Sequence, residues 1–150
     1  MIGPTDEGEA IVIRRRFPAS RDEVFQAWTD GHGMKAWMCP GDIVAADVQL
    51  DPRVGGALRV LMHGPNGSYE HWGEFTVFVR PSKLAFTWCA RATNFLPTLV
   101  TVEFFEAPDD QCDLLLTHER FPRPEARDQY RQGWAQIVAH LESFLRDRPA

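Results

Sequence analysis

The groups that could carry chemistry in this 150-residue chain are five histidines, three cysteines and a scatter of carboxylates. A zinc-type centre needs three or four such ligands converging on one point. No two histidines stand at i, i+2 or i, i+4. Pairing about a turn at Asn66–Gly67 sets His63 opposite Glu70 and brings His71 within reach of Met62 or His63, with no third ligand. No metal site is read. His118 alternates with Leu114 and Leu116 on one strand face, which makes it the best titratable hydrogen bonder to aim at an interior. Cys89 falls on the strand face opposite Trp88, Cys112 in a turn, and Cys39 before Pro40. None has a base beside it in the sequence pattern, so a thiolate nucleophile is not expected. Glu70 and Glu74 share a face with Trp72, and Glu74 is expected to be solvated or paired with Arg59. "VGGAL" lacks the lysine and following helix of a phosphate loop.

The elements that must position these groups follow from periodicity. "AIVIRRRF" (10–17) is β-branched and reads as a strand, which sends Arg14, Arg15 and Arg16 to alternating faces rather than into one basic patch. Ser20 and Glu23 form an S-x-x-E capping box, and Val24, Phe25 and Trp28 then repeat at helical spacing. Gly31 and Gly33 interrupt that helix, and "MKAWM" predicts a second short helical turn ending near Pro40–Gly41. Six strands follow, over 43–50, 56–63, 69–79, 83–90, 99–106 and 113–120, joined by short turns and therefore antiparallel neighbours. From Pro124 onward, Tyr130, Trp134, Ile137, Leu141 and Leu145 recur at three- or four-residue steps. They predict an amphipathic helix of about 22 residues, roughly 33 Å long.

This order predicts one α+β domain over residues 1–150. A curled, antiparallel, seven-stranded sheet carries two short helices after the first strand and a long carboxyl-terminal helix across its concave face. The blocks "FPASRDEVFQAWTD", "VGGALRVLMHGPNG", "HWGEFTVFVRPSKLAFTW", "LLLTHERFP" and "YRQGWAQIVAHLESFL" together resemble the START-like (SRPBCC) superfamily. The nearest likeness is to the single-domain activator-of-heat-shock-ATPase-homologue family. The resemblance implies a helix-grip fold with a cavity between the sheet and the last helix. Superfamily members hold lipids, sterols, hormones or polyketides there, and some are cyclases or aromatases. It also implies a stress-response or chaperone-modulating role, although the co-chaperone that names the family carries a second domain.

The formal net charge of −5 and the lack of a basic face argue against nucleic acid. The opening "MIGPTDEGEA" has no basic segment followed by an apolar run, and no window is apolar for 18 residues. The reading is therefore a cytoplasmic protein with reduced thiols and no membrane span. The function expected is binding of a small hydrophobic or aromatic molecule, by a monomer or homodimer without cofactor. An enzyme of cyclase, aromatase or hydrolase type is the alternative, with His118 and Tyr69 or Glu74 as acid–base groups. A chaperone-modulating partner role is the third reading. The expected cavity residues are Trp37, Phe86, Trp88, Val100, Val102, Leu116, His118, Trp134, Ile137 and Leu141. Gly133, beside that stripe, is expected to mark a close approach, so that Gly133→Ala destabilises the fold.

Overall fold

The computed structural model describes residues 10–147, so the opening segment read for a secretory signal lies almost wholly outside them. The strands are β1 (Ile11–Phe17), β2 (Ala45–Leu50), β3 (Ala57–Gly64), β4 (Gly67–Val79), β5 (Lys83–Trp88), β6 (Thr98–Ala107) and β7 (Gln111–Glu119). Helices α1 (Arg21–Trp28) and α2 (Gly31–Met34) follow β1, and α3 (Pro124–Asp147) closes the chain. The strands form one antiparallel sheet in the order β1-β7-β6-β5-β4-β3-β2. The meander is interrupted only at β1, whose chain crosses through α1 and α2 to the far edge. The result is a curled α+β sheet gripped by a 24-residue helix.

Local chemistry explains the boundaries. Ser20 Oγ accepts from the Glu23 backbone N–H at 3.2 Å, and Glu23 Oε1 accepts from the Ser20 N–H at 2.9 Å, so the capping box forms in full. The second helix differs from expectation. It begins three residues earlier, because Asp30 caps it by accepting from His32 N–H at 3.1 Å, and both glycines lie inside it. The β3–β4 turn also differs. Gly64 pairs with Gly67, so Pro65 and Asn66 occupy the turn, and His63 faces Ser68 while His71 faces Val60. The register is thus offset from the one expected. The offset of two residues keeps the strand parity, so His63 stands on the convex face, where its ring bonds Ser68 Oγ at 2.9 Å and Asp47 at 2.8 Å, and His71 on the concave face. Arg59 pairs with Glu70, not Glu74, across β3 and β4.

The core lies between the concave face and the helices. Phe25 of α1 meets Phe78 and Phe104 edge-on at 5.5 and 5.2 Å. An aromatic chain then runs Trp37–Trp28–Trp134–Trp88, with centroid separations of 5.0, 6.1 and 6.3 Å. Arg15 ties β1 to Glu142 of α3 at 2.8 Å, and Arg16 holds Asp113 through two contacts of 2.7 and 2.9 Å.

Close approach requires a glycine at Gly73 and at Gly56, not at Gly133. A Cβ at Gly73 would lie 1.7 Å from the Thr87 carbonyl oxygen, inside the β4–β5 ladder. A Cβ at Gly133 would meet only Pro40 Cβ, at an ordinary 3.7 Å.

Candidate functional site

The carboxyl-terminal part of α3 packs tightly, with Leu141 and Leu145 buried. Its first half is buried at Ala126 and Trp134 but borders open space at Tyr130 and Gly133. A cleft of about 690 Å³ opens there, between α3, the start of β4, the end of β5 and the Pro40–Ile43 loop. Gly133 lines this cleft and contributes no side chain to fill it. Trp88, Trp134, Ile137, Tyr130 and Met62 make the walls mostly apolar. Tyr69, Trp72 and Phe95 stand at the cleft, with Tyr69 and Phe95 exposed. Gln136 binds the far wall to α3 by accepting from the Gly41 backbone N–H at 2.5 Å.

The rim loop after β5 is built with care. Buried Thr93 accepts from Ala90 N–H at 3.1 Å and reaches the Leu96 carbonyl at 2.9 Å. This holds Asn94 and Phe95 in the left-handed region, at φ 56° and 60°, which a bulky residue seldom adopts. Phe95 then stacks on Trp72 with centroids 6.0 Å apart.

Behind the cleft lies a hydrogen-bonded chain. The Trp134 indole N–H donates to His118 Nδ1 at 2.9 Å. An indole can only donate, so Nδ1 is unprotonated and Nε2 carries the ring proton. Nε2 therefore donates to Thr98 Oγ1 at 2.7 Å, and Thr98 donates to the Trp88 carbonyl at 2.6 Å. His118 and Thr98 are both buried, and every ring nitrogen of His118 is occupied. Burial, with a lesser push from His71, drives the His118 pKa down to about 3.

His71 is the second buried histidine, 7 % exposed. It stacks on Trp88 at 5.0 Å and meets Tyr130 edge-on at 6.0 Å. Burial lowers its pKa to about 4, partly offset by the nearby Tyr69 backbone. Its Nδ1 has no partner, and neither does the hydroxyl of Tyr130, although both atoms are buried. Burial pushes the Tyr130 phenol upward.

Of the ten residues expected to line a cavity, Trp88, Trp134 and Ile137 are in the cleft wall. The structure places Trp37, Phe86, Val100, Val102, Leu116, His118 and Leu141 in the packed interior outside it. Strand alternation finds the concave face but cannot tell its filled part from its hollow part. Tyr130, His71 and Phe95 were not expected at the cleft. Tyr130 stood in the helical stripe, and the concave parity of His71 shows in its alternation with buried Phe75. Cys89 keeps the face opposite Trp88 yet is buried, and burial raises its thiol pKa, as it raises that of Cys39 and takes Cys112 up to about 11. Among the described residues no three His, Cys, Asp or Glu side chains gather as a metal site, and no helix is long and apolar enough to cross a membrane.

This geometry has many counterparts. A protein from Chromobacterium violaceum superposes with a TM-score of 0.81 at 20% identity, covering 94% of this chain and 99% of its own. A Rhodobacter sphaeroides protein gives a TM-score of 0.81 at 22% identity, with both chains covered in full at 100%. An AHSA1 protein from Silicibacter pomeroyi gives 0.76 at 21% identity, over 91% of this chain and 97% of that one. At such identities the likeness concerns the fold. No curated protein matches the sequence significantly. The sequence model of one family, described as activator of Hsp90 ATPase homolog 1-like protein, matches residues 18–146. The chain belongs to that family.

Proposed function

We propose that this chain is a single-domain, cytoplasmic binding protein for a small apolar molecule with an aromatic ring. The carrying observation is the 690 Å³ cleft walled by Trp88, Trp134 and Tyr130. Ligand sites of small molecules span about 300–1,000 Å³ and combine apolar walls with a few polar groups. Burial of one flat ring against such walls supplies the driving force, at roughly 25 cal/mol per Å² of apolar surface removed from water.

The hydrogen-bond chain speaks against the acid–base alternative built on His118. A general base must reach the substrate proton with a free lone pair. The Nδ1 lone pair of His118 is taken by Trp134, and its Nε2 proton is committed to Thr98. His118 therefore reads as a brace that fixes the Trp134 indole at the back of the cleft.

Tryptophan fluorescence tests the proposal, because three of the five tryptophans, Trp72, Trp88 and Trp134, line the cleft. Titration with bicyclic aromatics such as naphthalene should quench emission saturably at one molecule per chain. Linear, non-saturating quenching with every aromatic tried would sink the proposal.

A further inference from the structure

Four buried side-chain polar atoms among the described residues have no hydrogen-bond partner. Two are the indole nitrogens of Trp28 and Trp37, inside the packed core. The other two, His71 Nδ1 and the Tyr130 hydroxyl oxygen, belong to residues of the cleft wall. They come from opposite walls, β4 and α3, with ring centroids 6.0 Å apart and planes at 76°. Each ring is held by a stacked neighbour. Trp88 fixes His71 at 5.0 Å, and Phe121 fixes Tyr130 at 5.9 Å. Neither can readily turn to find water. Buried polar groups in native folds are satisfied, and each exception calls for a missing partner. Gly133, one helical turn beyond Tyr130, leaves the seam beside the phenol without a side chain.

We infer that the missing partner is the hydroxyl group of the ligand, and that the cleft selects a neutral hydroxylated aromatic compound of the phenol or naphthol class. The inference rests on the binding function proposed above and names its ligand class. One hydroxyl can donate and accept at the same time, so it serves Nδ1 and the Tyr130 hydroxyl together, whichever nitrogen of His71 holds the proton. A hydrocarbon would leave both atoms unpaired. A carboxylate would bring a charge to a seam without a cation, since the cationic lining residue, Arg91, is exposed at the loop after β5.

The test compares 2-naphthol, naphthalene and 2-naphthoate against the native chain, Tyr130→Phe and His71→Phe, by fluorescence titration. The expected result is that 2-naphthol binds the native chain about tenfold or more tighter than naphthalene, as one satisfied pair of buried groups implies. In Tyr130→Phe that preference collapses, with 2-naphthol binding no tighter than naphthalene. Unliganded Tyr130→Phe should melt at or above the native temperature, because the removed hydroxyl had no partner, so misfolding does not cloud the comparison. Equal binding of naphthol and naphthalene by the native chain overturns the anchor and leaves the binding function standing. Tightest binding of 2-naphthoate overturns it in favour of Arg91. Binding of none of the three overturns both.

Discussion

Two buried neutral histidines should make this protein acid-sensitive well above the range where its carboxylates titrate. In the unfolded chain each imidazole takes a proton near pH 6.5. In the folded chain His71 resists protonation down to about pH 4 and His118 down to about pH 3, because both rings are buried. Their folded pKa values are depressed, so their contribution is fully present above about pH 6.5. It is lost as pH falls from there toward the folded values. Unfolding at pH 5 therefore takes up nearly two protons, and each histidine forfeits about 2 kcal/mol relative to pH 7.5. The total of about 4 kcal/mol is a large share of the 5–15 kcal/mol typical of a domain. Asp113 and Glu142 do not confuse the window. Arg16 and Arg15 hold their carboxyl groups below the usual range, so their losses begin at lower pH. Urea unfolding followed by tryptophan fluorescence at pH 7.5 and pH 5 measures the effect. The midpoint should fall by about 2 M at constant slope, taking a slope of ~2 kcal/mol per M. A change under about 0.5 M would refute the burial of two neutral rings in the folded state.

Other outcomes follow from the same geometry. Gly73→Ala should destabilise the fold by about 3 kcal/mol or more, because its Cβ would occupy the position of the Thr87 carbonyl oxygen and part β4 from β5. A thermal melt checks it, and an unchanged melting temperature would contradict the close approach. Gly133→Ala should do the opposite. It adds helix propensity of about 1 kcal/mol against one ordinary contact with Pro40, raising the melting temperature by roughly 2–4 °C. Replacing His118 by Phe strands the buried Trp134 indole N–H and should cost about 1–3 kcal/mol. Pairing it with Thr98→Val should give a non-additive loss in a double-mutant cycle, because the two side chains share one network.

The strands were legible because their alternation and short turns leave few arrangements, and every strand lies within about two residues of its expected span. The Ser20–Glu23 cap was legible because it is a local, reciprocal pattern. The β3–β4 register was not. Asn66–Gly67 is the stronger turn dipeptide, but Pro65 with its fixed φ took the first turn position, and the two-residue shift kept each side chain on its face while moving the partner of His63 to Ser68 and that of His71 to Val60. The cleft was legible only in part. Trp88, Val100, Val102 and Leu116 share one alternation pattern, yet Trp88 borders open space and the other three are sealed. Where the interior stays open depends on how α3, β4 and the loop after β5 meet and on the absent side chain at Gly133, neither of which a single strand's pattern encodes. The His118 chain was half visible. The inward parity of His118 and the helical stripe bearing Trp134 could be read, but their contact and its link to Thr98 required the packing of α3 against β6 and β7.

The central claim is that the gap between α3 and β4 is a ligand site. The most direct measurement is native mass spectrometry of the protein and of Gly133→Leu, each offered the same small aromatic molecules. A leucine at 133 projects into the cleft, and its Cβ meets nothing nearer than Pro40 at 3.7 Å, so the fold should survive and the site should not. The account predicts one bound molecule per native chain and none on a folded Gly133→Leu chain. Equal occupancy of both proteins, or no adduct on the native one, would contradict it.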